Sequence, residues 1–279
     1  MILEIHSHTH YSHGKKIYFD GISSPEEMVS GAKKVGADGI FITDHDTIEG
    51  ALNAKTFAKK HKINVFVGEE ISTRSGHLLA LGIQEVVAKG LGVEESLDKI
   101  HEQGGIGVAS HPFDIKRDGM GMDCVKCDGI EIFNPMNLDR YSNKKAFRVA
   151  KGKNKPMTAG SDAHWYRMLG HGQIEVKADN LDGVLKEMRK GRIRIVKTNY
   201  IPLKLIANLA VEKLRKSYEP TVNYIENNYS WPKKQVSKYL LSWVKKDTAG
   251  MENLYKFLTV IAFGSVIVYG RFRRLVDFG

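Results

Sequence analysis

The stretch Glu4-Ile5-His6-Ser7-His8-Thr9-His10-Tyr11-Ser12-His13 carries histidine at positions 6, 8, 10 and 13. Side chains alternate along extended backbone, so a strand at residues 2–5 that runs out into this stretch sends His6 and His8 to one side. Two imidazoles on one side can converge on a cation, and neutral imidazole is the commonest protein ligand for metals. His13 follows a short turn through Ser12 and Gly14, so one loop could serve two adjacent ions. The motif starts so close to Met1 that no targeting segment is expected ahead of it.

The elements that must position such a site recur along the chain. Short apolar runs at residues 39–43, 63–67, 105–109, 130–133 and 156–159 read as buried parallel strands. They end, in turn, in Asp44-His45-Asp46, Gly68-Glu69-Glu70, Ser110-His111-Pro112, Asn134-Pro135 and Gly160-Ser161-Asp162-Ala163-His164. Another strand, residues 77–82, begins with His77, and strands at 173–176 and 193–196 complete the series. Between them the spacing predicts helices near 47–61, 93–103, 143–151 and 181–190. A further helix, from Pro25 to about Val35, opens with the capping box Ser24-Pro25-Glu26-Glu27. Parallel strands closed into a barrel bring their C-terminal ends to one face. Of the histidines, His6, His8, His13, His45, His77, His111 and His164 occupy such ends, whereas packing histidines would scatter. His10, His61, His101 and His171 read as structural or surface residues.

With 279 residues, 42% hydrophobic and 27% charged, the chain has the totals of a soluble globular protein that can bury a large α/β domain and an extension. The two cysteines, Cys124 and Cys127, cannot build a disulfide scaffold and suit a reducing compartment, so a cytoplasmic location is expected. No second pair completes a zinc site with them, and they read as structural thiols. The net charge of +10 is uneven: residues 1–196 hold 28 Lys/Arg against 26 Asp/Glu, and residues 197–279 hold 14 against 6. A basic C-terminal third suits nucleic acid, acidic headgroups or an acidic partner, or else is a solvated lysine-rich helical face. That third reads as helical. Leu203, Ile206, Leu209 and Leu214 share a face, and Ser230-Trp231-Pro232 starts a helix to about residue 246. The apolar run 257–269 has 13 residues, short of the roughly 20 a membrane span needs. It is expected to be a buried or dimer-forming helix rather than a transmembrane span, with the basic end Arg271-Phe272-Arg273-Arg274 leaving contact with a membrane surface open.

Histidines with one or two Glu and an Asp form a mixed nitrogen and oxygen donor set suited to Zn, Mn or Fe. Two ions roughly 3.5 to 4 Å apart polarise a phosphoryl oxygen and lower the pKa of a shared water enough to make hydroxide near neutral pH. Phosphoester hydrolysis is the favoured reaction and amide hydrolysis its chemical neighbour.

These ordered motifs resemble the PHP (polymerase and histidinol phosphatase) family of metal-dependent phosphoesterases. The resemblance spans residues 1–196 and rests on His6-x-His8-Thr9-x-x-Ser12, Ile42-Thr43-Asp44-His45-Asp46-Thr47, Gly68-x-Glu70, His77 before an apolar strand, His111-Pro112, and Gly160-Ser161-Asp162-Ala163-His164. It implies a distorted seven-stranded TIM-like (β/α) barrel, with residues 197–279 as a basic helical extension, and two or three divalent ions. The implied ligands are His6, His8, Glu70 and Asp162 for one ion, and Glu70, His77 and His111 for a second. A third ion would take His13, His45 and His164. His13 stands where many relatives carry Asp, and the family pattern selects Glu70 over Glu69. Glu70 and Asp162 are assigned to catalysis, with Arg167 as a phosphate clamp and Arg74 and Lys15 behind it. Asp44 and Asp46 are expected beside the ligands or in turns, while Glu131 and Asn134 could contact substrate or support a loop. The function implied is hydrolysis of a phosphomonoester or phosphodiester such as a nucleotide, oligonucleotide end or small-molecule phosphate. The alternative is a metal-stabilised module that docks on nucleic acid through its basic extension without significant turnover. A homo-oligomer is compatible with either.

Overall fold

The computed structural model describes residues 1–14, 17–114, 119–245 and 250–278. Within them nine strands form one sheet: β1 (Ile2–Glu4), β2 (Gly39–Ile42), β3 (Asn64–Ser72), β4 (His77–Leu81), β5 (Ile106–Ala109), β6 (Gly129–Phe133), β7 (Met157–Ala159), β8 (Gly172–Val176) and β9 (Ile193–Thr198). The order is β7-β6-β5-β4-β3-β2-β1-β8-β9, and the sheet curls until β7 lies alongside β9, a nearly closed barrel. The strand number exceeds the expected seven. β1, β2, β3, β5, β6, β7 and β9 run one way, while β4 and β8 run against them and pair antiparallel on both sides. A reversed strand begins where its neighbours end. That is why His77, the first residue of β4, sits opposite Ser72 at the end of β3, on the same rim as the C-terminal ends of the other strands.

The helices are α1 (Pro25–Lys34), α2 (Glu49–Lys55), α3 (Ala58–His61), α4 (Val93–Glu102), α5 (Tyr141–Gly152), α6 (Leu181–Arg189), α7 (Leu203–Lys216), α8 (Tyr218–Asn228), α9 (Lys233–Lys245) and α10 (Met251–Phe278). The capping box forms: Glu27 N donates to Ser24 Oγ over 3.2 Å and Ser24 N to Glu27 Oε2 over 2.8 Å. The single helix expected over 47–61 is two. Thr56 Oγ1 donates to Asn53 O over 2.7 Å, taking a helix carbonyl.

Strand alternation divides the apolar core. Leu3, Phe41, Phe66, Leu79, Val108, Phe133 and Ile174 face inward, joined by Val184, Leu185 and Met188 of α6. Ile40, Ile42, Val65, Val67, Leu78, Ala109 and Ile130 face outward, under the helices. α7 adds Ile206 and Leu209 to this outer layer, and Phe263 and Ile267 of α10 pack on it from further out.

The last helix overturns the premise drawn from its apolar run. α10 has 28 residues, and its segment Asn253–Arg273, 21 residues of mean hydropathy 1.4, is long and apolar enough to cross a membrane by length and composition. Nor is it buried in this chain, since only 6% of that apolar window is buried. The 13-residue count stopped at Lys256 and Arg271, two cations that one helix passes without breaking.

Candidate metal centre

The polar residues collect at one rim of the barrel. His6 and His8 follow β1, His45 follows β2, Glu70 lies near the end of β3, His77 opens β4, His111 follows β5, Glu131 lies in β6, and Asp162 and His164 follow β7. Burial is nearly complete: His6, His8, Glu70, His111 and Asp162 are 0% exposed. Asp46, His111 and Asp162 hold φ of 54°, 28° and 47°, a left-handed conformation that costs a non-glycine residue of order 1–3 kcal/mol. Strain of that size at the rim persists because the surrounding structure over-determines it.

Four donors form a tight cage. His6 Nε2 lies 3.1 Å from His8 Nε2, 3.3 Å from Glu70 Oε2 and 3.4 Å from Asp162 Oδ1. His8 Nε2 lies 3.2 Å from the same Glu70 oxygen and 3.3 Å from the same Asp162 oxygen. Donors about 2.0–2.2 Å from an ion at tetrahedral angles sit roughly 3.3–3.6 Å apart, so the cage has the size of a divalent ion's inner shell. Glu70 turns its other oxygen the opposite way, with Oε1 3.1 Å from His111 Nε2 and 3.2 Å from His77 Nδ1. Ser110 Oγ donates to that oxygen over 2.7 Å. One carboxylate thus stands between two groups of imidazoles. His8, His45 and His164 form a third group.

The third group differs from the expected set. His13 is exposed, its ring stacked on Tyr18 with centroids 4.2 Å apart, and it does not join the histidines. Asp20 stands there instead, with Oδ2 2.7 Å from His164 Nε2 and 3.4 Å from His45 Nε2. Lys213 of α7 reaches Asp20 Oδ1 at 2.6 Å. Neither residue was anticipated. Asp20 carries a sequence signal, as the single acidic residue between the histidine motif and α1, whereas Lys213 carries none. Arg167 is exposed with its guanidinium 4.7 Å over the Trp165 ring, and among the described residues no hydrogen bond or ion pair ties it to the histidines. Arg74 is exposed, its amide donating to Leu91 O over 2.9 Å. Lys15 lies outside the described residues.

The supporting contacts are also specific. Glu131 Oε1 is 3.0 Å from His6 Nδ1, and Oε2 accepts from His111 N over 2.9 Å and from Asn134 Nδ2 over 3.0 Å. Asn134 Nδ2 also donates to Asp162 Oδ2 over 3.1 Å. Such a carboxylate fixes the tautomer and orientation of a ligating imidazole, so Glu131 supports the ligands, a role left open by its position alone. Asp44 binds the motif loop instead, accepting from Thr9 N over 2.6 Å and Thr9 Oγ1 over 2.7 Å. Asp46 accepts from Ser72 N over 2.8 Å. Glu69 points outward and accepts from Val87 N over 2.9 Å. Cys124 and Cys127 are buried free thiols. Burial pushes the Cys124 thiol up to about 11.

The electrostatics call for a cation. Burial opposes charge on His6, yet Asp162, Glu70 and Glu131 hold its pKa well above the ordinary imidazole value. His8 is likewise driven to about 9 against its burial by Asp162 and Glu70. Burial would raise Glu70, but His6, His45 and His77 keep it well below the carboxylate range. His164 runs the other way, lowered to about 4 by burial with Lys213 and His8 nearby. Two imidazole nitrogens facing each other at 3.1 Å, and a buried Glu70 Oε2 and His111 Nδ1 without hydrogen-bond partners, fit shared coordination better than hydrogen bonding. The donor set therefore fits divalent ions, with Glu70 able to bridge.

Comparison with known proteins agrees with this geometry. The family described as PHP-associated, PHP_C, matches residues 140–193. An uncharacterized protein of Methanocaldococcus jannaschii, MJ1587, is 38% identical over 152 residues, which are 52% of this chain and 89% of the relative. A second from that organism, MJ0417, is 31% identical over 134 residues, 44% of this chain and 56% of the relative. The error-prone DNA polymerase of Nocardia farcinica is 38% identical over 69 residues, 25% of this chain but 6% of the polymerase. Beyond MJ1587, then, the chain spans about half or far less of these relatives. Among solved structures, a two-domain protein of Bacteroides vulgatus containing a predicted PHP-like metal-dependent phosphoesterase aligns with TM-score 0.56 at 19% identity, over 71% of this chain and 65% of that one. An amidohydrolase of Chromobacterium violaceum aligns with TM-score 0.51 at 18% identity, over 69% and 97%. At these identities the structures speak to the shared barrel fold.

Proposed function

We propose, because this chain belongs to the PHP domain family, that it is a metal-dependent phosphoesterase acting through the rim cluster, and that its substrate is a phosphomonoester or phosphodiester. The observation that carries the reading is the two-sided placement of Glu70, with one oxygen 3.3 Å from His6 and the other 3.1 Å from His111. Divalent ions held there would supply Lewis acidity, polarising a phosphoryl oxygen and lowering the pKa of a water. The chain's own residues do the rest. His6, His8, His77, His111 and Asp162 hold and orient the cationic centre, Glu131 locks His6 and His111, and burial of the rim excludes bulk water from their donors. Lys213 and Asp20 stand beside His45 and His164. Lys213 is paired with Asp20 at 2.6 Å, and among the described residues it is the lysine or arginine that an ion pair ties to this cluster, the place expected of Arg167.

A nucleotide or oligonucleotide end is the finer reading of the substrate, supported by similarity to DNA polymerases over 69 residues. The unpaired cysteines support a cytoplasmic setting. The experiment is a panel of phosphomonoesters, phosphodiesters and short oligonucleotides assayed with Zn, Mn and Mg after removal of adventitious metal. Metal-dependent phosphate or nucleotide release that Glu70→Gln abolishes is the expected result. A correctly folded, metal-loaded chain that turns over none of the panel but binds oligonucleotides would leave the docking module as the better account.

A further inference from the structure

α10 meets the barrel along one side only. Phe263 and Ile267 pack on the outer core. Gly270 lies so close to the loop before α5 that an added Cβ would sit 2.3 Å from Asp139 O, and the Arg273 guanidinium lies 5.5 Å over the Tyr141 ring. The opposite side is apolar and open. Phe257 is 60% exposed, Ile261 53%, Val268 65%, Phe272 62% and Leu275 73%, with Leu254, Leu258, Val260, Tyr269 and Val276 also exposed. At about 100° per residue these side chains sweep roughly 200° of the helix surface. Among the described side chains, the only polar ones within that arc are Asn253, Ser265 and Arg271.

An arc this wide argues about its occupant. A two-stranded coiled coil buries a narrow seam, two positions in seven, flanked by charged residues that pair across it. A second copy docked that way would leave most of this arc in water, and the charges beside it, Lys256 and Arg271, are of one sign and would repel rather than pair. A bilayer surface covers a wide apolar face and takes basic residues at the depth of its phosphates. The charges match that surface: residues 197–279 carry 14 Lys/Arg against 6 Asp/Glu, and Lys256 and Arg271 bracket the apolar run. α9, bonded to α10 through Tyr255 Oη donating to Leu240 O over 2.7 Å, exposes Tyr239 at 61%, and Trp231, two residues before α9, is 80% exposed; both side chains favour the headgroup level. We propose that α10 docks the protein on the surface of a bilayer containing acidic phospholipids, lying flat with its barrel-facing side kept in place.

The test is flotation of the full chain with vesicles of phosphatidylcholine alone and of equimolar phosphatidylcholine and phosphatidylglycerol, beside sedimentation equilibrium without lipid. Wild type should float with the mixed vesicles, at least about tenfold more than with phosphatidylcholine alone, and lose this on added salt. Ile261→Glu/Val268→Glu, at the centre of the exposed arc, should lower partitioning by roughly 100-fold or more while leaving thermal unfolding and metal content unchanged. A wild-type chain that stays with neither vesicle overturns the proposal. It does so in favour of a second copy if the chain is a dimer that the double substitution dissociates. Equal partitioning into both vesicle types overturns the acidic-lipid recognition.

Discussion

Glu131→Gln isolates the orientation of the ligands from their identity. The carboxylate accepts on both oxygens, from the His6 side at 3.0 Å and from His111 N at 2.9 Å, while Asn134 shares the second oxygen at 3.0 Å. Glutamine has one carbonyl oxygen for these donors, so its amide nitrogen must face either the His6 ring or the His111 amide. A ring that loses its acceptor is free to change tautomer, and Nε2 is then no longer held as a lone pair toward the cage. Removing one such outer partner lowers metal affinity about 10- to 100-fold. Because this residue serves two implied ligands at once, a loss near 100-fold is expected, about 2.7 kcal/mol. The metal-free fold should suffer little, since an amide of the same shape replaces a charge that is 1% exposed. Competition against a chelating dye for Zn or Mn gives the affinity, and thermal unfolding of the metal-free protein gives the control. A variant with wild-type metal affinity would refute the reasoning, and so would one whose affinity falls only as far as its metal-free stability does.

Glu70→Gln should nearly abolish hydrolysis, because a neutral amide cannot stand between two cationic groups, whereas the outward-facing Glu69→Gln should be mild; measured turnover in the reverse order would sink this register. Asp20→Asn should lower occupancy of the group formed with His45 and His164 by about one ion per chain while His13→Ala leaves metal content unchanged, as read by elemental analysis; loss of metal in His13→Ala would return that residue to the centre. Lys213→Met should weaken substrate binding or turnover with the metal count preserved, and unchanged kinetics would reduce the lysine to a packing contact. Stripping the ions should lower thermal stability, by about 2.7 kcal/mol for free metal at 100 times its dissociation constant; a melting temperature indifferent to metal would mean that the cage does not bind in the folded state.

The ordered local motifs were enough to determine the rim and most of its donors, because each donor is fixed by where one strand stops and strand ends are written in short apolar runs and their polar exits. Even the choice of Glu70 over Glu69 lies within reach of alternation. Once β3 is taken through Ser72, Phe66, Gly68 and Glu70 share the inner side, and Val65, Val67, Glu69 and Ile71 the outer. The reading that ended this strand at Val67 had to take the choice from the family pattern. Tertiary structure alone decided the rest. Asp20 and Lys213 meet across 193 positions of sequence, and a contact that distant leaves no periodicity in either segment. Asp20, rather than His13, joins His45 and His164 because the loop turns His13 out onto Tyr18. Glu131 could be read as site-facing, but its two ligand contacts depend on how β6 packs beside the chain that follows β1. The fate of α10 is the plainest case. An apolar helix is written in its composition, but whether its apolar surface is buried depends on what packs against it, and here the barrel covers one side and leaves roughly 200° of arc open.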